Sequence, residues 1–168
     1  VLNHEYVVNK EQAEVVRLIF ELYISGLSYR LISDELQRRN IKSPLGLDRW
    51  DESTIEGMLQ NEKYIGDALL QKTIVRPWVQ KKRSASADSQ QYYVEDDHEA
   101  IVSDEMFERV KREMEYRRSL RSCTKSGRGG YSSKYPLSSK VYCYQCGCIF
   151  RRHGYFSGEK YVKTWTCS

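Results

Sequence analysis

Between positions 9 and 25 the apolar residues crowd round a helical period, with Val15, Val16, Leu18, Ile19, Phe20, Leu22 and Tyr23 leaving only Glu14, Arg17 and Glu21 as a polar stripe. So broad an apolar surface predicts a core helix over 10–25 that packs on two sides. Asn9 is its expected cap, with Gln12 reaching back to it, and Gly26 its expected end. Ser28 predicts the cap of a second helix to about residue 39, with Leu31, Ile32 and Leu36 inward and Asn40 in a left-handed closing conformation. A loop over 41–49, broken by Pro44 and Gly46, leads to Asp51, the expected cap of a third helix to about residue 61. Trp50 and Ile55 are placed to form a hydrophobic staple, and Ile55, Met58 and Leu59 make the buried face. The opposite side offers Thr54, Gly57 and Asn61; a glycine inside a helix costs about 1 kcal/mol relative to alanine and so points to close approach of something. Helix, helix, loop and capped helix follow the order of a helix-turn-helix, with a connection longer than the usual 3 or 4 residues or so.

Beyond the third helix the period changes. Residues 64–71 and 91–95 read as two strands, joined by a basic hairpin loop carrying Lys72, Arg76, Lys81, Lys82 and Arg83 among Ser and Ala spacers. Ser103 predicts the cap of a last helix, with Asp104 and Glu105 at its positive end, Phe107, Val110 and Met114 facing the core, and Arg112, Arg117 and Arg118 toward its negative end. From 119 to 139 Ser, Gly, Lys and Arg dominate without an apolar period, which reads as a linker, and Cys123 within it as a bystander thiol.

Charge alters the picture more than composition does. Residues 1–71 carry 8 Lys/Arg against 12 Asp/Glu, 72–91 carry 5 against 1, 92–115 carry 3 against 9, and 116–168 carry 11 against 1. A C-terminal third this basic, interleaved with Tyr131, Tyr135, Tyr142, Tyr144, Tyr155 and Tyr161, fits a phosphate-tracking surface as well as a merely solvated tail. No basic-then-apolar leader opens the chain, and no apolar run approaches the roughly 20 residues of a membrane span. The expectation is therefore an internal segment of a cytoplasmic, non-membrane protein. Five cysteines, an odd number crowded toward one end, favour metal ligation in a reducing compartment over a disulfide framework.

The sharpest motif is Cys143-Tyr144-Gln145-Cys146-Gly147, two thiols on a tight turn whose glycine frees backbone N–H groups to point at sulfur: a zinc knuckle. Cys167 stands at the outer edge of the usual separation for a second pair and supplies a third ligand, so that zinc is the expected cofactor. The fourth ligand lies downstream, or is Cys148 or His153. No catalytic residue is assigned. His4, His98 and His153 are scattered, no glycine-rich loop joins a strand to a helix, and Asp96, Asp97 and Glu99 lack a second acidic cluster. Cys148 with His153, beside a zinc knuckle, is better read as ligating or structural than as nucleophile and base.

From Asn9 to Gly66, "NKEQAEVVRLIFELYISGLSYRLISDELQRRNIKSP", then Trp50, then "IEGMLQNEKYIGD" resembles the recombinase domain of the large serine recombinases. "DDHEAIVSDEMFERVKREME" is similar to the final strand and helix of that domain, and "PLSSKVYCYQCGCIF" to the opening of the family's zinc ribbon. The resemblance implies an α+β fold: a mainly helical DNA-binding domain over 1–118 with a helix-turn-helix-like core and a small antiparallel hairpin, a basic flexible linker over 119–136, and the N-terminal part of a zinc ribbon over 137–168. It implies a fragment that recognises double-stranded attachment-site DNA, without the serine catalytic domain, taken from a parent that integrates or excises mobile DNA as dimers on each site and tetramers in synapsis. On the exposed side of the third helix and just after it, Thr54, Glu56, Asn61 and Lys63 are the candidates for base contacts. Lys72, Arg76, Lys81, Lys82, Arg83, Arg151 and Arg152 are the candidates for phosphate. Two other classes fit the same residues: a helix-turn-helix and zinc-ribbon regulator, and a zinc-stabilised protein-interaction module.

Overall fold

A computed structural model describes residues 7–70, 91–122, 131 and 134–167 of the 168. α1 (Lys10–Ile24) begins where Asn9 accepts from the backbone N–H of Gln12 at 3.2 Å, and the chain leaves it through Gly26 at φ +102°. The cap bond uses the Gln12 backbone, not the side chain that the sequence suggested. Ala13, Val16, Ile19, Phe20 and Tyr23 are buried, while Glu14, Arg17 and Glu21 face outward. Arg17 is nonetheless engaged, since its Nε donates to the Ile101 carbonyl at 2.9 Å.

α2 (Tyr29–Arg38) starts at Ser28, whose hydroxyl accepts from Leu31 N–H, and ends before Asn40 at φ +56°. Its buried face is Ile32, Ser33 and Leu36, whereas Leu31, expected inside, is 38% exposed. Ile32 and Leu36 are inward as expected and Ser33 takes the place of Leu31, its hydroxyl donating to the Trp50 carbonyl at 2.7 Å and fixing the helix against the following loop. Trp50 is itself buried, its indole N–H donating to the Ile41 carbonyl at 2.9 Å, and it shares the core with Ile55 as the staple pattern requires. α3 (Glu52–Leu59) is capped by Asp51, whose carboxylate accepts from Ser53 N–H at 2.8 Å.

α3 stops two residues before the expected end. Asn61 instead caps a 3₁₀ turn (Glu62–Ile65), accepting from Lys63 N–H at 3.3 Å. That turn occupies the start of the predicted first strand, so β1 shrinks to Ala68–Leu70, paired antiparallel with β2 (Tyr92–Val94) in the register Ala68↔Val94 and Leu70↔Tyr92. The reason is local. Gly66 at φ +94° turns the chain, the Tyr64 carbonyl accepts from both Ile101 and Val102 N–H at 2.9 Å, and the Gly66 carbonyl accepts from His98 N–H at 3.1 Å. A Cβ at Gly66 would sit 2.6 Å from the His98 carbonyl oxygen. Gly66→Ala is therefore expected to cost about 2 kcal/mol or more, from a left-handed conformation plus a backbone clash, read as a lower urea midpoint at unchanged slope.

α4 (Asp104–Ser122) opens at Ser103, whose hydroxyl accepts from Met106 N–H at 3.3 Å, and buries Phe107, Val110, Met114, Arg117 and Leu120. It runs through 119–122, four residues into the stretch read as linker. Phe20 stands at the centre of the core, stacked on Phe107 at 6.2 Å and edge-on to Tyr64 at 6.3 Å. The first and last helices of this body therefore close one core, with α2, α3 and the 98–102 segment around them. The second part is a hairpin of β3 (Phe150–Ser157) and β4 (Lys160–Cys167), turning at Gly158 with φ +63°. The architecture is α+β, as the sequence indicates, and no described helix is long and apolar enough to cross a membrane.

Candidate functional site

The knuckle is built by backbone bonds. Cys143 N–H donates to the Cys148 carbonyl at 2.7 Å, Gly147 N–H to the Cys143 carbonyl at 2.9 Å, and Gly147 takes φ +70° to close the turn. A bridge between Tyr142 and Ile149, together with Phe150 N–H on the Val141 carbonyl, feeds the turn into β3. Because Phe150 pairs with Cys167, the register carries the last residue of β4 to the mouth of the knuckle. The sulfurs of Cys143, Cys146 and Cys167 all lie within 4.8 Å of one another. Tetrahedral zinc thiolates, with Zn–S of about 2.3 Å, place their sulfurs about 3.8 Å apart, so the trio fits three corners of such a site.

The thiols are chemically uneven. Cys148 N–H and, next, the Cys167 thiol hydrogen-bond to Cys146 sulfur and hold the Cys146 thiol down at about 7. Cys167, hydrogen-bonded to Cys146 and Cys143, is pushed up to about 12. Of the two other fourth ligands considered, Cys148 stands outside the mutually close trio although its thiol reaches Cys146. His153 is excluded by the pleat. It lies three residues along β3 from Phe150, about 10 Å away and on the opposite face from the Phe150–Cys167 pair.

The candidate nucleic-acid contacts divide by surroundings. On α3 the exposed residues are Glu52, Ser53 and Gly57, continued by Gln60 at its C-cap, while Thr54 and Glu56 are half-buried. Nothing lies within 4 Å of a Cβ built on Gly57, so that side of α3 is open. Glu56 leans into a cleft of about 620 Å³ that it shares with Tyr29, Arg30 and Arg118. Asn61 has its carboxamide oxygen committed to the cap, and Lys63, beyond α3, is exposed while its carbonyl meets His98 Nε2 at 2.6 Å. A carbonyl only accepts, so Nε2 carries the proton. Lys72, Arg76, Lys81, Lys82 and Arg83, like Cys123, lie outside the described residues.

Arg151 and Arg152 follow directly after the knuckle, half-buried on β3 and on opposite faces. Arg152 lies 4.0 Å over the Tyr135 ring. The Nε and Nη2 of Arg151 are buried with no hydrogen-bond partner among the described residues.

One constellation escaped the sequence reading. Arg117, 6% exposed, donates to the carbonyls of Tyr23 at 2.8 Å and Leu27 at 2.7 Å and to Glu113 at 2.6 Å. Its guanidinium lies 3.9 Å over the ring of Tyr23 and 4.0 Å over that of Tyr131. Burial pushes the Tyr23 hydroxyl above its ordinary range, against the opposing effect of Arg117. The available signal was the spacing of Phe107, Val110, Met114 and position 117, which continues the buried stripe of α4.

A model of the family described as Recombinase matches residues 10–117, from the start of α1 to most of α4. A solved structure described as an LSR–DNA complex is 22% identical, with a TM-score of 0.50 over 99% of this chain and 46% of that one. A structure from work on the sequence requirements of the Listeria innocua prophage attP site is 21% identical, with a TM-score of 0.56 over 99% of this chain and 61% of that one. The likeness to both is one of fold, and this chain spans about half to three fifths of their lengths.

Proposed function

The chain belongs to the Recombinase family, and from that premise we propose that it is the DNA-gripping part of a site-specific serine recombinase, binding double-stranded attachment-site DNA in the cytoplasm. The family match over 10–117 carries the reading, and the fold shared with a protein solved as an LSR–DNA complex supports it. In this reading the helical body and the ribbon are two contact modules, the first over about 1–118 and the second from about residue 137. The open side of α3, at Gly57 between Thr54 and Glu56, is the part that enters the major groove, followed by Asn61 and Lys63. Lys72, Arg76, Lys81, Lys82, Arg83, Arg151 and Arg152 neutralise phosphate. Cys143, Cys146 and Cys167 hold zinc, which supplies no chemistry on DNA and serves to fix the ribbon. The parent protein cuts and rejoins DNA, dimeric on each site and tetrameric in synapsis. No residue of this chain is assigned to that step.

The test is fluorescence anisotropy with mixed-sequence duplex DNA across a salt series. Affinity is expected to fall linearly on logarithmic axes, and Lys81→Ala with Lys82→Ala to make the slope less negative by about 0.9 for each phosphate that is no longer neutralised. A folded protein that binds no duplex at low salt would refute the reading and favour a zinc-held protein-interaction module.

A further inference from the structure

Tyr131 and Tyr135, in the segment leading into the ribbon, and Tyr142 within it make contacts to the helical body or to the hairpin. Tyr131, three residues before the described chain resumes at Lys134, lays its ring on the Arg117 guanidinium at 4.0 Å and donates its hydroxyl to the Gly26 carbonyl at 3.0 Å. Arg117 is buried and lies over Tyr23, which stacks in turn on Tyr29 at 5.5 Å, so Tyr131 closes a column of rings and guanidinium across the ends of α1, α2 and α4. Tyr142, at the entrance to the knuckle, is hydrogen-bonded to Tyr116 on α4, one residue from Arg117. Tyr135 receives Arg152 of β3 over its ring, which fixes the lead-in segment to the hairpin.

We infer that this tyrosine latch, centred on Arg117 and closed by Tyr131, seats the ribbon at a fixed position on the helical body. Tyr131 is thus a positioning residue. Its consequence, which rests on the DNA reading above, is that the two contact modules meet DNA as one preorganised surface. Ordering costs that a flexible tether would add on binding are already met in the free protein. A released ribbon would still be tethered and would bind second at a lower effective concentration.

The experiment compares the full chain with Tyr131→Ala and Tyr131→Phe by small-angle X-ray scattering, with far-UV circular dichroism on the same samples. Tyr131→Ala is expected to keep its helical signal and to raise the radius of gyration by about 2 Å or more from the roughly 15 Å of a compact chain this long, while Tyr131→Phe, which keeps the ring on Arg117, stays near the parent. Superimposable curves for Tyr131→Ala and the parent would overturn the latch. Should Tyr131→Ala lose its helical signal, Tyr131→Leu replaces it: expansion supports the latch and none refutes it. Duplex affinity measured alongside is expected to fall on the order of tenfold for Tyr131→Ala, as preorganisation is removed, and equal or tighter binding would overturn the preorganised surface. If the parent binds no duplex, the DNA reading fails while the scattering result still decides the latch.

Discussion

A Cys143→Ser chain is expected to lose its bound metal and to unfold its ribbon, leaving the helical body folded. Structural zinc in small modules carries about 10–16 kcal/mol of apparent binding free energy at pH 7, which becomes folding free energy where the module has little else. The ribbon has little else. Ile149 is the buried hydrophobic residue of the 141–167 stretch, and Tyr155, Phe156 and Tyr161 are more than half exposed. The core of the helical body does not draw on it, because the cluster from Val16 to Met114 contains no residue of the ribbon. Metal analysis should give about one zinc per parent chain and none for the variant, by the one-ion geometry of a thiolate cluster. Near-UV circular dichroism should show loss of the ribbon tyrosines and Trp165 with the helical signal kept. A variant that retains a full complement of zinc, or a parent whose spectrum and melting ignore a strong chelator, would remove the metal from the site.

Arg117→Met is expected to destabilise the helical body by about 3 kcal/mol, the order seen when a buried, hydrogen-bonded charge loses its place and leaves acceptors unpaired. Most of that comes from the Leu27 carbonyl, which loses the Arg117 donor, and less from the Tyr23 carbonyl, which keeps the Gly26 N–H at 3.1 Å and loses its second bond. The ion pair counts for less, since Glu113 keeps 31% of its side chain in solvent. At about 2–4 °C per kcal/mol for a chain of this size, the melting temperature should fall by about 6–12 °C. Arg117→Lys should recover little, because an ammonium supplies neither the forked donors nor the flat face that Tyr23 and Tyr131 meet. A shift below about 1 kcal/mol for Arg117→Met would mean that those carbonyls find other donors.

Helix starts were legible wherever one side chain at one position does the work. Asn9, Ser28, Asp51 and Ser103 each accept the backbone N–H that a cap requires, and Gly26 and Asn40 take the left-handed conformations that their places demanded. The thiol trio was legible for the same reason, since a knuckle and a distant cysteine admit few arrangements. What depends on partners far along the chain was not. Leu31 and Ser33 exchange places because of a hydrogen bond to Trp50, and the first strand gives way to a turn held by residues 98–102. Arg117 at the end of a helix reads as a charge that suits the dipole; its burial is set by Tyr23 and Tyr131, one 94 residues before it and the other 14 after. Helical period placed Thr54 and Glu56 beside an open stripe, but could not tell that α2 and α4 would close on Glu56 from one side.

The contact of Phe20 with Phe107 also sets a timetable for synthesis. The two rings are 87 residues apart in the chain, and at about 5–20 residues per second a ribosome takes roughly 4–17 s to deliver the second after the first. During that interval α2, α3 and the turn that carries Tyr64 are what can cover the apolar flank of α1, and Phe20 waits for its stacking partner. The nascent chain thus passes through a sticky, half-closed stage that ends only when α4 emerges, which makes slower initiation and cooler growth the natural remedies for insoluble expression.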